Sequence, residues 1–421
     1  MRPMKDSSVS FIGEIPENWH IIRNKNVFSC TKCLVGEESN NTQLLSLTKR
    51  GVKKKDINNA EGKLPESFDT YQYVSKDDIV MCLFDLDVSA VFSGISAYNG
   101  MISPAYKIMT CKSNLVPKFA DYWFQYISDG RKFNHYSKNI RYTLSFEDFS
   151  TLPIVLPSYK EQNRIANYLD EKCTKIDNII AKQQAVIEKL KEYKQAVITE
   201  AVTKGLDPNA QMKDSGVEWI GKIPEHWKII KLKYVSKIIR GKFGHRPRND
   251  PRYYDGEYPF IQTGDVARSE HYIQEYKQTL NDLGYSVSRQ FPKGSIVMAI
   301  AANIGDVAVL DFDACFPDSV VGFIPQNIVN LDYLYYSLKS MKNQFLTNAI
   351  ISTQLNLNID IIKEEYIVLP TLDEQKNIIL YIERNCNKIN LMIKIKQELI
   401  EKLVEYKKSF IYEVITGKKE V

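Results

Sequence analysis

The 421-residue chain carries the same order of segments twice. VSFIGEIPENWHII at residues 9–22 recurs as VEWIGKIPEHWKII at 217–230, and IVLPSYKEQNRI at 154–165 recurs as IVLPTLDEQKNI at 367–378. Similarity that returns in the same order marks a repeated structural unit. A chain of this length also exceeds what one hydrophobic core usually supports. The sequence therefore predicts two similar domains, each followed by the same kind of segment.

The blocks between the matched ends, about 23–151 and 231–364, share little sequence. Similar ends around dissimilar middles are expected of one scaffold that carries two different specificities. Duplication followed by random sequence drift is the alternative, but drift alone should change the sequence of the matched ends as much as that of the middle blocks. We favour the functional interpretation.

Residues 159–204 contain neither proline nor glycine and are rich in helix-forming residues. Ser158 and Glu161 have the spacing of a capping box, and Gly205 is placed to end a helix. Thr371, Glu374 and Gly417 repeat these signals in the second copy. At ~1.5 Å per residue the first helix would be about 69 Å long. The chain should therefore contain two long helices.

Both helical segments show steps of seven residues, which predict a coiled coil formed within the chain. The alternative is that each helix packs only on its own domain, but seams of this length exceed what one domain face needs. Polar residues at matching positions, Gln183 and Lys396, would fix the register. The predicted seam residues are Leu169, Ile176, Gln183, Leu190 and Val197 with Ile179, Val186 and Tyr193, and Ile382, Ile389, Lys396, Leu403 and Phe410 with Met392, Leu399 and Tyr406.

The composition is that of a globular protein, with 44% hydrophobic and 25% charged residues. No segment has the length or apolarity of a signal peptide or a membrane span, so we expect a cytoplasmic protein. Seven cysteines are scattered, and the single close pair, Cys30 and Cys33, lacks the partners of a zinc site. We expect reduced thiols and no metal.

The two variable blocks have the pattern of mixed α/β domains. Apolar runs at 78–83 and 294–300 predict strands, and short helices are predicted around 117–129 and 331–346. The fold class is thus α/β (α+β), with domains at 1–157 and 206–370 and helices at 158–205 and 371–421.

Basic residues cluster where loops are expected, although the net charge is only +5. Such local cation density suits DNA phosphates, and arginines in a loop can bond to guanine edges in a groove. Gly241, Gly244 and Pro247 favour a loop over a solvated helix face. For Lys53–Lys55 alone, plain surface charge is the simpler explanation. The clusters comprise Lys49, Arg50, Lys53, Lys54 and Lys55, and Lys231, Lys233, Lys237, Arg240, Lys242, His245, Arg246, Arg248 and Arg252.

A further pair of segments precedes the two IVLP sequences. NIRYTL at 139–144 aligns with STQLNL at 352–357, which sets Arg141 against Gln354. These side chains prefer different bases, as two half-sites of different sequence would require. Capping of the loops by Thr143 and Asn356 is the alternative.

No pattern of catalysis was found in the sequence. It lacks a GxxxxGK[ST] phosphate loop and a glycine-rich turn suited to a methyl-donor cofactor. Asp250-Pro251-Arg252-Tyr253 is similar to the base clamp of adenine methyltransferases, but arginine replaces the second proline. The sequence therefore predicts a non-catalytic chain.

The ordered motifs resemble those of type I restriction-modification specificity subunits over essentially the whole chain. They include WIGKIPEHWK at 219–228, YPFIQTGDVA at 258–267, STQLNLN at 352–358 and the helix that starts with EQ at 374–375. LSLTKRGV at 45–52 and GMISPAYKI at 100–108 resemble motifs of one class of target-recognition domain. The first block has no clear counterpart of Gln262-Thr263-Gly264-Asp265, unless residues 47–50 take that place.

The resemblance implies that each recognition domain binds one half of a bipartite, asymmetric DNA site. The helices would pack antiparallel, set the spacer and dock two methyltransferase subunits. The methyltransferases would use S-adenosylmethionine, and motor-nuclease subunits would use ATP and magnesium, with no cofactor on this chain. Residues expected to face the two half-sites are Lys49, Arg50, Arg141 and Tyr142, and Arg240, Arg246, Gln262, Gln354 and Asn356.

Two rival hypotheses remain open at this stage. A coiled-coil scaffold that never binds DNA would explain the helices but not the repeated domains with basic loops. A methyltransferase that acts alone would need the cofactor loop that the sequence lacks.

Overall fold

The computed structural model describes residues 2–30, 32–48, 51–56, 65–86, 92–129, 131–136, 142–351 and 357–421. It divides into two units. The first contains residues 1–184 and 397–421, and the second contains residues 185–396. Each unit therefore includes one globular region and part of each long helix.

The first unit is mixed α/β, as predicted. Its described helices are α1 (Pro117–Ser128), α2 (Phe146–Thr151), the start of α3 (Tyr159–Lys204) and the end of α10 (Leu372–Ile415). A sheet in the order β4-β11-β8-β9 forms its centre, and the pair β3-β12 lies next to the start of α3 in sequence. The strands are β1 (Met4–Asp6), β2 (Glu14–Pro16), β3 (His20–Arg23), β4 (Phe28–Ser29), β5 (Leu45–Thr48), β6 (Gly51–Lys54), β7 (Gln72–Val74), β8 (Ile79–Met81), β9 (Ser93–Ile95), β10 (Gly100–Ile102), β11 (Lys107–Cys111) and β12 (Pro153–Leu156).

The second unit repeats this plan with a longer sheet, ordered β16-β24-β21-β22-β18. The pairs β13-β14 and β15-β25 correspond to β1-β2 and β3-β12. Its helices are the end of α3, α4 (Leu232–Val235), α5 (Thr263–Arg268), α6 (Asp282–Ser286), α7 (Leu331–Ser340), α8 (Lys342–Ile351), α9 (Ile359–Glu364) and the start of α10 (Leu372–Ile415). Its strands are β13 (Met212–Asp214), β14 (Lys222–Pro224), β15 (Lys228–Lys231), β16 (Ser236–Arg240), β17 (Tyr254–Pro259), β18 (Tyr272–Ile273), β19 (Thr279–Leu280), β20 (Gln290–Phe291), β21 (Ile296–Ala299), β22 (Val307–Leu310), β23 (Ala314–Cys315), β24 (Val320–Pro325) and β25 (Tyr366–Leu369).

Each unit has one main hydrophobic core that joins its globular region to its helix segments. In the first unit, Trp19 and Trp123 are buried together with Leu169 of α3 and Ile411 of α10. In the second unit, Tyr333 lies in the core, and its hydroxyl donates to the carbonyl oxygens of Val202 and Val368. Burial of these large aromatic side chains is the main stabilising term that holds the helices to the domains.

Both long helices begin and end as the sequence predicts. The amide of Glu161 donates to Ser158 Oγ at 3.3 Å, and the amide of Thr371 donates to Glu374 Oε2 at 3.0 Å. Gly205 and Gly417 follow the last turns with φ of +78° and +77°. This left-handed backbone is the usual glycine stop of a helix.

The two helices pair antiparallel within each unit. In the first unit, Lys407 Nζ donates to Asp177 Oδ2 at 2.7 Å, and the rings of Tyr168 and Phe410 lie 5.8 Å apart. In the second unit, Lys194 Nζ donates to Asn390 Oδ1 at 2.8 Å. Residue numbers rise along one helix as they fall along the other, so the paired coil is confirmed.

The second predicted series of seam residues, which begins with Ile179 in α3 and with Met392 in α10, lies one residue before the series that is buried. Ile179 is 42% exposed and Met392 is 52% exposed, whereas Ile187 is buried. Buried and half-buried residues recur every seven positions from Leu169 and from Ile382. A second such series begins four residues after each of them, whereas the predicted series follows at a spacing of three. The other residues of the predicted second series, Val186, Tyr193, Leu399 and Tyr406, are likewise exposed.

Replacement of Gly205 by alanine should destabilise the second unit by about 1–2 kcal/mol. The new Cβ would meet the Trp227 ring at 3.0 Å in addition to the strain of a positive φ. Gly216→Ala is the matched control, because Gly216 has φ of +71° but open space around it. Urea unfolding should show the larger loss for Gly205→Ala. Equal losses would mean that the contact with Trp227 is unimportant.

Candidate nucleic-acid interface

The second basic cluster contains a segment that begins at the last residue of β16 and continues as an exposed loop, here called the arginine loop (residues 240–248). Its base is fixed because the amide of Lys242 donates to the Phe316 carbonyl at 3.0 Å. A Cβ on Gly241 would lie 2.3 Å from the Pro317 carbonyl oxygen, so only glycine permits this approach. Phe243 is buried in a small aromatic cluster beneath the loop. The hydrophobic anchor thus leaves the basic side chains at the surface. Lys231, Lys233 and Lys237 lie outside the loop, on β15, α4 and β16.

Three arginines of this loop converge on one residue, Asp318. Arg240 Nε donates to the Asp318 carbonyl oxygen at 2.6 Å, and Arg246 Nη2 lies 3.3 Å from Oδ2. Arg248 Nη2 is hydrogen-bonded to Oδ1. Arg246 and Arg248 remain about half exposed. The guanidinium groups are therefore oriented in advance and accessible from solvent.

The loop continues into a second polar group around Asp250. Its carboxylate accepts from Arg252 Nη2 at 2.7 Å and lies 3.1 Å from His245 Nε2. The hydrogen bond from Arg252 lowers the pKa of Asp250. The His245 ring stacks on Tyr253 at 4.0 Å between ring centroids. His245 is therefore tied to the protein and is less available to a ligand than Arg246 or Arg248.

Gln262 and Thr263 lie at the start of α5 instead of in a loop. The amide of Gln262 donates to Asp265 Oδ2 at 2.8 Å, and its side chain is hydrogen-bonded to Gln278. Asp265 is buried, which explains the Gln-Thr-Gly-Asp sequence as a helix cap. Residues 45–48 of the first unit form a strand, so the described part of 47–50 differs in structure from this turn.

In the first unit, the predicted basic cluster belongs to the hairpin β5-β6. Lys53 is exposed on β6, and Lys54 Nζ lies 5.0 Å above the Tyr98 ring. Tyr142 is 39% exposed with φ of +46°. The predicted contacts Lys49, Arg50, Arg141, Gln354 and Asn356 lie outside the described residues.

Leu144 and Leu357, the last residues of the two aligned segments, bond to corresponding places in the two units. The amide of Leu144 donates to Leu83 just after β8, and the amide of Leu357 donates to Ile300 just after β21. Both bonds are 2.8–2.9 Å long. The alignment of 139–144 with 352–357 therefore has a structural counterpart at its end.

The side chains that attach each globular region to its long helix were not among the residues predicted from the sequence. Trp19 Nε1 donates to Glu161 at 3.0 Å, and Trp227 Nε1 donates to Glu374 at the same distance. Burial raises the pKa of Glu374, but hydrogen bonds from Trp227, His226 and Thr371 outweigh it and lower the pKa to about 2. The sequence did contain a sign of this attachment, because the tryptophan and the Glu-Gln pair recur in both copies.

The glutamine that follows each of these glutamates is fully buried. Gln162 Oε1 accepts from the Val116 amide at 2.8 Å, and its Nε2 donates to the carbonyls of Asn114 and Pro157. Gln375 makes the same kind of contacts with Asn330 and Pro370. These bonds connect the first turn of α3 to α1, and that of α10 to α7.

The described ranges contain neither a metal-binding cluster nor a membrane-spanning helix. No group of three or more histidine, cysteine or acidic side chains could hold a metal ion there. No described helix is both long and apolar enough to cross a membrane.

Comparison with known proteins agrees with the repeated architecture. Residues 224–401 match the family described as "Type I restriction modification DNA specificity domain". A Methanocaldococcus jannaschii protein named "Putative type I restriction enzyme MjaX specificity subunit" is 24% identical over 97% of this chain and 95% of its own length. Over nearly its whole length the chain is thus similar to type I restriction-modification specificity subunits. The "Type I restriction enzyme MjaVIII specificity subunit" of the same organism is 26% identical over 64% of this chain and 63% of its own length.

A solved structure shares the fold of this chain. It is described as "Structural basis underlying complex assembly and conformational transition of the type I R-M system", and its matching chain gives a TM-score of 0.70. The match covers 96% of this chain and 99% of the other at 14% identity. The family resemblance inferred from the ordered motifs and the predicted fold class are both confirmed.

Proposed function

We propose that this chain binds a bipartite, asymmetric DNA site and that each globular region contacts one half of it. The supporting observation is that one scaffold, repeated twice, presents different basic surfaces, the hairpin β5-β6 in one unit and the arginine loop in the other. Arginines on a loop can bond to phosphates and to guanine edges. The proposed contacts are Lys49, Arg50, Lys53, Arg141 and Tyr142, and Arg240, Lys242, His245, Arg246, Arg248, Gln262, Thr263, Gln354 and Asn356.

The chain itself is proposed to be non-catalytic. Two methyltransferase subunits would dock on the long helices and use S-adenosylmethionine to methylate adenine. Motor-nuclease subunits would join them, use ATP and magnesium, and cleave unmethylated DNA in the cytoplasm. Exposed apolar side chains on the helices, among them Ile179, Met392 and Ile395, support docking because such side chains favour a protein partner.

Exchange of residues 23–151 for the same block of another specificity subunit should change one half-site and leave the other half unchanged. The reason is that the exchanged block keeps the matched ends that hold it to the scaffold. Sequencing of methylated adenines in cells that carry each version checks this prediction. A change in both halves of the site would contradict the assignment of one half to each block.

Insertion of one heptad-length segment into each helix should lengthen the unread spacer. An α-helix gains about 10 Å over seven residues, which is about three base pairs of B-form DNA. The bases of both half-sites should stay the same, as checked by the same methylome sequencing. A change in the recognised bases would contradict a spacer role for the helices.

Two further measurements separate this function from its rivals. Binding to duplex DNA in the presence of the methyltransferase subunits should weaken steeply with salt, whereas a scaffold that does not bind DNA would give no such response. The pure chain with labelled S-adenosylmethionine and DNA should transfer no methyl group. Robust transfer would support an independent methyltransferase.

A further inference from the structure

Asp318 belongs to another segment of the chain and contacts the arginine loop at the place where the guanidinium groups could bind a phosphate. Its carboxylate lies between two guanidinium groups, with Arg246 Nη2 at 3.3 Å and Arg248 Nη2 also in contact. Its main-chain carbonyl holds Arg240 Nε at 2.6 Å. One acidic residue therefore engages three of the five basic side chains that the loop offers.

The arrangement is built into the fold and does not arise from neighbours in sequence. Asp318 follows Arg246 and Arg248 by 72 and 70 residues. It lies in the segment before β24, and the Val320 carbonyl accepts the amide of Gly241 at 2.9 Å, while the Phe316 carbonyl accepts that of Lys242. The two segments are thereby fixed next to each other. The carboxylate is about one-third exposed, so an anion from solvent can approach the same guanidinium groups.

We propose that Asp318 is an internal competitor of the DNA backbone, and that it lowers the affinity of the arginine loop for random-sequence duplex. This inference rests on the proposed DNA contact by the arginine loop. A phosphate oxygen and a carboxylate oxygen bind guanidinium with the same geometry. A non-specific duplex offers only phosphates and must displace Asp318 to reach Arg246 and Arg248.

Asp318→Asn keeps the shape of the side chain and removes its charge. In the assembled complex with the methyltransferase subunits, the variant should bind a labelled random-sequence duplex about fivefold or more tightly, because exposed ion pairs no longer have to be broken. The slope of log affinity against log salt should become steeper by about one to two, since each freed arginine can neutralise a phosphate. Fluorescence anisotropy of the labelled duplex, recorded between about 50 and 200 mM salt, measures the affinity and its salt slope.

Asp311→Asn is the matched control. Asp311 lies in the same unit and is paired with Lys293 at 2.7 Å instead of with an arginine of the loop. Its substitution changes the net charge by the same amount. Equal affinities for the two variants, or weaker binding by Asp318→Asn, would overturn the inference. The proposed function fails separately, if the unsubstituted complex shows no salt-dependent DNA binding at all. If Asp318→Asn binds the duplex more tightly and Asp311→Asn does not, the result supports both the inference and the proposed function.

Discussion

Gln162→Leu should lower the free energy of unfolding of the first unit by about 3 kcal/mol. The buried amide bonds one backbone N–H and two carbonyls, at 2.8 Å to Val116, 3.0 Å to Asn114 and 2.9 Å to Pro157. Leucine has a similar size but cannot satisfy these groups, and an unpaired buried polar group costs about 1–3 kcal/mol. Hydrogen–deuterium exchange in α1 of the full chain should report the loss, because α1 begins at this contact.

The same helix supplies the control for this substitution. Gln184→Leu removes an exposed glutamine of α3, so exchange in α1 should change little. Equal protection of α1 in the two variants would show that the Gln162 contacts contribute little to the attachment. The spacing of the methylated adenines is a second readout, because a loosened attachment should broaden the accepted spacer lengths without changing the recognised bases.

Simultaneous replacement of Arg240, Arg246 and Arg248 by alanine should weaken DNA binding by about a hundredfold. The salt slope should fall by about two to three, because each phosphate contact contributes about 0.9 to it. Fluorescence anisotropy of the assembled complex checks both numbers. The fold should persist, since these side chains lie at the surface and Phe243 anchors the loop.

A variant with three other cations removed separates local contacts from total charge. Lys213, Lys222 and Lys376 are exposed residues of the same unit and lie on β13, β14 and α10. Their replacement by alanine should change the affinity less than a few fold. A similar loss in both triple variants would mean that the arginine loop acts only through net charge.

The long helices and their boundaries were predictable because their signals are local. An uninterrupted run of helix formers, a capping pair and a terminal glycine operate within one or two turns of the chain. The division of the chain into repeated units was predictable for a related reason, since a duplicated segment retains its sequence where its packing is the same. Neither inference needs knowledge of distant contacts.

The seam shows where local patterns stop being sufficient. At several steps the sequence offers apolar side chains at both positions, such as Ile179 beside Ile180 and Val186 beside Ile187. Periodicity alone cannot decide which of two adjacent apolar residues faces the partner helix. Packing decides it, and the structure buries Ile187 and leaves Val186 exposed.

The sequence by itself determined the two-copy plan, the mixed α/β class, the two helices and the presence of a basic loop. These properties depend on periodicity, capping and local cation density. Only the tertiary structure decided which acid meets the arginines and which groups hold each domain to its helix. Asp318 contacts arginines 70 to 78 positions away, and Gln162 bonds to Val116, which is 46 positions away. Such contacts leave no pattern within a short stretch of chain.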